Sequence, residues 1–269
     1  MEKNIGRYIP AHPHAGRLVE SLSRPLVRAV GAALKFYDNR SRYAKLKGQE
    51  MCERLGRGES VYLLGIGPSG HNSTAALVEV SAKNGILPIR NNEEERFTGI
   101  RHEDRFPENS RNEIFELLEK MDVNPTDILA IVGSWNYLAG ISTSLRVAVE
   151  EAPISFHLAR RAASPQMNLW HFLEALQAPG QLKRYFKTKK RVPVIGMRHH
   201  DNHAFFPYAV SLFAESPKPT IIVVIDGCGD DGALSTYVAR QGRIELHRRF
   251  PNLFDSLGFL YAVISSTQG

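Results

Sequence analysis

Residues 61–91, VYLLGIGPSGHNSTAALVEVSAKNGILPIRN, contain the pattern that decides the predicted fold. Two short apolar runs, Val61 to Ile66 and Thr74 to Val80, flank a polar loop rich in glycine and serine, and such runs are typical of buried strands. A third run, Ile86 to Asn91, follows Asn84-Gly85, a pair that favours a tight hairpin turn. The stretch therefore predicts an antiparallel meander of three strands.

The same order recurs in residues 220–250. Thr220 to Ile225 predicts a buried strand that runs into the polar loop Asp226 to Gly232, and two more strands follow over Ala233 to Ala239 and Ile244 to Phe250. A helix and another strand lie between the two meanders, which favours a mixed sheet over a purely parallel one. The duplication resembles the plan of the actin-like ATPase (ASKHA) superfamily, whose two lobes clasp the phosphates of a nucleotide.

We therefore predict an α/β fold with three parts. Residues 1–59 form a basic, partly helical N-terminal extension, residues 60–216 form a first lobe with a mixed sheet, and residues 217–269 form the truncated start of a second lobe. Leu18, Leu22, Leu26, Val30 and Leu34 recur at four-residue spacing in the extension, which predicts an amphipathic helix. We favour docking of its apolar face on the neighbouring domain, and a membrane surface is the alternative.

Three histidines lie between the meanders, in Arg198-His199-His200-Asp201-Asn202-His203. A helix that begins near Arg198 places His199 and His203 at i and i+4 on one face. That spacing suits two imidazoles that share a divalent metal, a phosphate site or a proton-transfer site. The alternative interpretation is a solvated first turn of a helix.

Charge and cysteine content narrow the class of protein. The net charge is +6, and residues 1–60 account for it with 12 Lys/Arg and 6 Asp/Glu, so the remaining chain is balanced and does not predict nucleic-acid binding. Cys52 and Cys228 form no metal-ligand spacing, and two cysteines do not predict a disulfide framework. No apolar run reaches the length of a membrane span. We therefore expect a cytoplasmic chain.

Several short motifs, in order, resemble the O-carbamoyltransferase family of antibiotic and nodulation-factor biosynthesis. They are Leu64-Gly65-Ile66, residues 70–77 (GHNSTAAL), Glu94-Glu95-Arg96-Phe97-Thr98 with Arg101-His102 and Phe106-Pro107, His199-His200-x-x-His203-Ala204, Asp226-Gly227 with Gly232, and Ser256-Leu257-Gly258-x-x-Tyr261 with Thr267 and Gly269. The resemblance covers residues 61–269. Asn72 departs from it, because the family usually has aspartate there.

The resemblance implies a specific chemistry. A carbamoyl-adenylate, made from carbamoyl phosphate and ATP by a YrdC-like domain, donates its carbamoyl group to a hydroxyl of a sugar or other small acceptor. A divalent metal of the iron type contacts the nucleotide, with His199 and His203 as candidate ligands. His71 and Asp226 are the candidate catalytic residues.

The nucleotide and carbamoyl contacts that the resemblance implies come from three stretches. The candidates are Gly70, Asn72, Arg96, Arg101, Gly227 and Gly232. A guanidinium can bind phosphate or carboxylate in a bidentate way, which suits the two arginines.

The resemblance also implies that the second lobe continues beyond Gly269, with the third metal ligand and the YrdC-like domain. We therefore expect the 269-residue chain alone to be poorly active, and a second copy could also complete it. Two other functions remain open: a different actin-like transferase or kinase, and a non-catalytic binding or regulatory module.

Overall fold

The structure is a computed structural model that describes residues 12–67, 72–103, 105–150, 152, 169–187, 189, 191–229, 232–250, 256–258, 261 and 264–265. Its contacts divide the chain into two compact units, one over His14–Met197 and the other containing Arg198–Gly269. The sequence analysis placed the lobe boundary later, between residues 216 and 217.

The residues that the structure describes form sixteen α-helices and β-strands, given in chain order. They are α1 (Pro13–Ala33), β1 (Phe36–Asp38), α2 (Arg42–Gly56), β2 (Val61–Gly67), β3 (Thr74–Ser81), β4 (Gly85–Glu93), α3 (Glu95–Thr98), α4 (Glu108–Lys120), β5 (Ile128–Gly133), α5 (Tyr137–Glu150), α6 (Leu169–Tyr185), β6 (Val194–Gly196), α7 (His199–Ala209), β7 (Thr220–Gly229), β8 (Gly232–Arg240) and β9 (Arg243–Phe250). None of the described helices is both long enough and apolar enough to cross a membrane.

The first unit is built on a six-stranded sheet in the order β1-β6-β5-β2-β3-β4. β2, β3 and β4 form the predicted antiparallel meander, whereas β5 pairs with β2 in parallel. Leu64, Leu77 and Ile131 come from three neighbouring strands and are buried with Ile114 and Leu118 of α4. These pairings confirm the predicted α/β class and the mixed sheet.

The start of α4 depends on a side chain from outside the helix. The helix begins at Glu108, so Ser110 lies in its first turn. Ser110 is buried, and its N–H and Oγ both donate to Glu94, whose carboxylate also accepts from the N–H and side chain of Asn109. A carboxylate from the end of β4 therefore satisfies the first-turn donors, which otherwise have no partner within a helix.

Residues 1–59 are not wholly an extension, which corrects that part of the predicted organisation. Phe36–Asp38 pairs in parallel with Val194–Gly196 and becomes the edge strand of the first sheet. Phe36 is 1% exposed and lies in the core. A strand of three residues shows too little alternation to be recognised from periodicity, and its partner lies far along the chain.

The orientation of α1 also differs from the interpretation that we favoured. Leu18, Leu22 and Leu26 are 60–67% exposed, so these leucines do not dock on the neighbouring domain. The buried residues of the helix are Gly16, Glu20 and Gly31.

The second unit contains a three-stranded antiparallel sheet in the order β7-β8-β9. α7 packs on this sheet, and its Ala204 joins Val224 and Tyr237 in a small buried cluster. A strand, polar loop, strand, turn and strand therefore occur in both units, as the actin-like plan predicted.

Candidate metal centre

α7 begins at the histidine cluster, as the sequence predicted. Arg198 is the N-cap with extended dihedrals, φ −66° and ψ 136°, and His199 is the first helical residue. Because His203 lies one turn later, its ring meets that of His199 edge to face, with centroids 4.4 Å apart. Their Nε2 atoms are 3.0 Å apart.

Asp226 lies beside these two nitrogens. It sits where the pairing of β7 with β8 becomes irregular, between Ile225 and Gly229. Its Oδ2 is 2.8 Å from Nε2 of His199 and 3.7 Å from Nε2 of His203. These residues form a group of three that could hold a metal ion. Asp226 thus supplies a third candidate ligand within this chain, and the ligand expected beyond Gly269 stays a prediction.

The spacing of the three atoms suits a metal ion. A circle through them has a radius of about 1.9 Å, just under the ~2.0–2.2 Å at which such atoms bind zinc. Oδ2 of Asp226 is buried, yet no donor of the described residues meets it with hydrogen-bond geometry, although Nε2 of His199 is close. The three ligand atoms therefore converge on one point, and the two Nε2 atoms also lie within hydrogen-bond distance of each other.

The protonation states also suit metal binding. Burial, together with neighbouring His199, lowers the pKa of His203 below its ordinary value, which favours the neutral imidazole. Burial acts to raise the pKa of Asp226, but the contact with His199 outweighs it and the pKa is lowered, which favours the carboxylate. Neutral imidazole and ionised carboxylate are the forms that bind a metal ion.

Two buried polar contacts fix α7 on the sheet. Nδ1 of His200 is 2.7 Å from Oγ of Ser235, and both residues are fully buried. The hydroxyl of Tyr237 donates to Oδ1 of Asp201 over 2.9 Å, again in the interior. Because His200 and Asp201 follow His199 directly, these contacts set the position of the first turn and thus of the candidate ligands.

Close packing brings further residues to this centre. A Cβ on Gly229 would lie 2.8 Å from Cδ2 and Nε2 of His200, so only glycine leaves room for that ring. A Cβ on Gly258 would lie 2.8 Å from Cα of Gly227. Oγ of buried Ser256 donates to the carbonyl oxygen of Asp226 over 2.9 Å. Residues 226–229 and 256–258 therefore pack directly on each other.

A family model matches the region that contains the candidate centre. The model described as "Carbamoyltransferase N-terminus" matches residues 62–269, which include the whole candidate centre. The chain belongs to this carbamoyltransferase family. No curated protein sequence matches it closely enough to count as a relative.

Solved structures of low similarity also match. A type II variant of the Aquifex aeolicus Ppx/GppA phosphatase is 15% identical, with a TM-score of 0.34, and the match covers 71% of this chain and 52% of that one. Another crystal structure of the Aquifex aeolicus Ppx/GppA family member is 16% identical, with a TM-score of 0.33, over 73% of this chain and 52% of that one. The chain spans about half the length of these structures.

The other predicted residues of this carbamoyltransferase chain fall in several places. Gly70 and His71 lie outside the described residues. Asn72 belongs to the first unit, has a left-handed φ of 64°, and contacts His102 and Glu95 through its side chain. Arg96 and Arg101 belong to the same unit and are exposed.

Gly227 and Gly232 border the loop of the second unit. The N–H of Gly227 donates to Oδ1 of Asp226 over 2.6 Å, and Gly232 pairs with Gly229 at the start of β8. Among the predicted residues, the structure therefore brings together His199, His203, Asp226 and Gly227.

The residues that support the candidate metal centre were not predicted from the sequence. Ser235 and Tyr237 alternate with Thr236 on β8, so their side chains face the same side of the sheet. A polar residue and a tyrosine at inward positions of a predicted strand were a usable signal, because buried polar groups need partners. Nothing in the sequence indicated which groups of α7 these partners are.

Proposed function

We propose that this chain binds a divalent metal and a nucleotide within a carbamoyltransferase that carries a carbamoyl group from carbamoyl-adenylate to a hydroxyl of a small acceptor, such as a sugar. The observation that carries the proposal is the convergence of His199, His203 and Asp226 within the family-matched region. Family membership supports carbamoyl transfer, and the three donors support the metal.

The donor set favours an ion of the iron type. Two imidazoles and one carboxylate are the ligands of many non-haem Fe(II) sites, and this set leaves other coordination positions for a bound molecule. His203 is half exposed through its side chain, whereas the side chains of His199 and Asp226 are largely covered, so the centre opens on the His203 side. When bound, the cation would neutralise phosphate charge and polarise a carbonyl.

Asp226 has two separate tasks in this proposal. Its Oδ2 faces the histidines, and its Oδ1 accepts from the N–H of Gly227. The second contact fixes the N–H of Gly227 next to the candidate ligands. A loop of this composition can turn backbone N–H groups towards an anion, since glycine adds no side-chain bulk.

The first unit supplies candidate phosphate contacts. Arg96 and Arg101 are exposed on either side of the turn that ends α3, and guanidinium groups bind phosphate oxygens in a bidentate way. Asn72 and His102 both have left-handed backbones and contact each other, with 3.1 Å between Oδ1 and Nδ1. Glu95 accepts from both residues and links the two loops.

Calorimetry on the purified chain tests the proposal. We expect Fe²⁺, added in the absence of oxygen, to bind the native chain at about one ion per chain. The bound ion should also strengthen the binding of a non-hydrolysable carbamoyl-adenylate analogue. His199→Ala should abolish both effects. His247→Ala, which replaces a histidine of β9, is the matched control and should keep both.

The outcomes separate the alternatives. Tighter metal-dependent binding of ATP than of the carbamoyl-adenylate analogue would favour a kinase-like actin relative. An absence of metal binding in the native chain, or equal metal binding in His199→Ala, would refute the proposed centre. Metal binding with no nucleotide binding would favour a non-catalytic module.

A further inference from the structure

α1 carries an apolar stripe that faces solvent. Leu18, Leu22, Leu26 and Val30 follow one another at four-residue spacing, and they are 60%, 67%, 67% and 44% exposed. Residues at this spacing lie on one side of a helix. Monomeric soluble proteins seldom expose a continuous apolar surface without a binding role.

The opposite face of α1 is built for close packing inside the first unit. Gly16 and Gly31 are buried, and a Cβ at either position would collide with a side chain of α5, Glu150 or Leu138. Glu20 is also buried and pairs with Arg146 of α5 at 3.4 Å and with Arg24 of its own helix at 2.5 Å. The glycines and the ion pairs fix which face points inward, so the leucines are held outward by the fold.

Positive charge lies along one edge of the stripe. At 100° per residue, Arg17 and Arg28 fall between the leucine face and the packed face. Both are exposed, and they belong to the N-terminal 60 residues that carry the whole net charge of the chain. An apolar face with arginines beside it is typical of a helix that lies in a membrane interface. The long arginine side chains can reach the lipid headgroups.

We propose that α1 binds the surface of an anionic lipid bilayer through Leu18, Leu22, Leu26 and Val30, with Arg17 and Arg28 on the headgroups. The stripe contains leucine and valine, whereas the cores of protein interfaces are enriched in aromatic residues. A helix of this kind lies in the interface plane and does not have to span the bilayer. The inference does not depend on the metal centre.

Vesicle co-sedimentation tests the proposal on the full chain. We expect binding to phosphatidylcholine vesicles that contain phosphatidylglycerol, weaker binding to phosphatidylcholine alone, and loss of binding as ionic strength rises. The double variant Leu22→Ser/Leu26→Ser should partition at least about tenfold more weakly, because two side chains no longer bury apolar surface.

The control variant carries the same substitutions elsewhere. Leu46 and Leu212 are 51% and 93% exposed, so Leu46→Ser/Leu212→Ser removes two exposed leucines outside α1 and should bind as the native chain does. Equal binding by both double variants, or no binding of the native chain to anionic vesicles, would overturn the proposal. Dimerisation in sedimentation velocity that Leu22→Ser/Leu26→Ser abolishes, without vesicle binding, would assign the stripe to a second copy instead.

Discussion

Replacing Gly229 by alanine is a direct test of the candidate metal centre. The new Cβ would lie 2.8 Å from both Cδ2 and Nε2 of His200, about 0.6 Å short of ordinary van der Waals contact, which begins near 3.4 Å. His200 is fully buried and held by Ser235, so its ring has no free space to enter. We therefore expect the first turn of α7 to shift, and His199 with it.

The size of the shift sets the expected effect. Metal–ligand distances tolerate about 0.2 Å of error, which is less than the displacement that the methyl group requires. Overpacking of this kind costs about 1–3 kcal/mol. If that cost falls on the metal-binding arrangement, the affinity for the ion drops about 5- to 150-fold.

Titration with Co²⁺, followed by its visible absorption, measures this affinity in the native chain and in Gly229→Ala. Gly48→Ala is the matched control, since a Cβ at Gly48 of α2 would have no neighbour within 4 Å and should leave the metal affinity unchanged. Circular dichroism establishes that both variants are folded. Native affinity in folded Gly229→Ala would refute the reasoning that places the donors at His199, His203 and Asp226.

Three further predictions follow from the contacts. Tyr237→Phe removes the buried donor to Asp201, which should lower the free energy of opening α7 by about 1.5–3 kcal/mol. Hydrogen exchange measures this free energy, and unchanged exchange would contradict the role of Tyr237. Glu94→Ala leaves the first-turn donors of α4 without their acceptor, so urea denaturation should show the free energy of unfolding lowered by about 2 kcal/mol or more. Glu116→Ala, which replaces an exposed glutamate of the same helix, is the control and should leave it unchanged. The pKa of His203 is lower in the folded chain than its ordinary 6.5, so the unfolded chain takes up the proton first and stability should fall as pH drops below about 6.5. A metal-free His203→Ala chain should lose less stability over the same interval, and an equal loss would exclude His203 as the cause.

Local sequence determined much of this fold. The apolar runs and turn residues at 61–91 and 220–250 specify strands by themselves, because buried strands of this length need little more than an apolar run bounded by breakers. The sequence also predicted the start of α7 and, with it, the placement of His199 and His203 at i and i+4. The family resemblance followed from short motifs in a fixed order, which the family comparison confirms over residues 62–269.

Tertiary structure decided the features that depend on partners far apart in sequence. The strand that contains Phe36 pairs with Val194–Gly196, and Glu94 accepts from the first-turn donors of α4. Periodicity predicted that α1 is amphipathic but not which of its faces packs inward. The buried glycines and the pairing of Glu20 with Arg146 hold the opposite face inward, so the leucines face solvent. The sequence determined two histidines on one helical turn, whereas only the irregular end of β7 placed Asp226 beside them. A coordination site depends on distances across the fold, and spacing along the chain does not contain those distances.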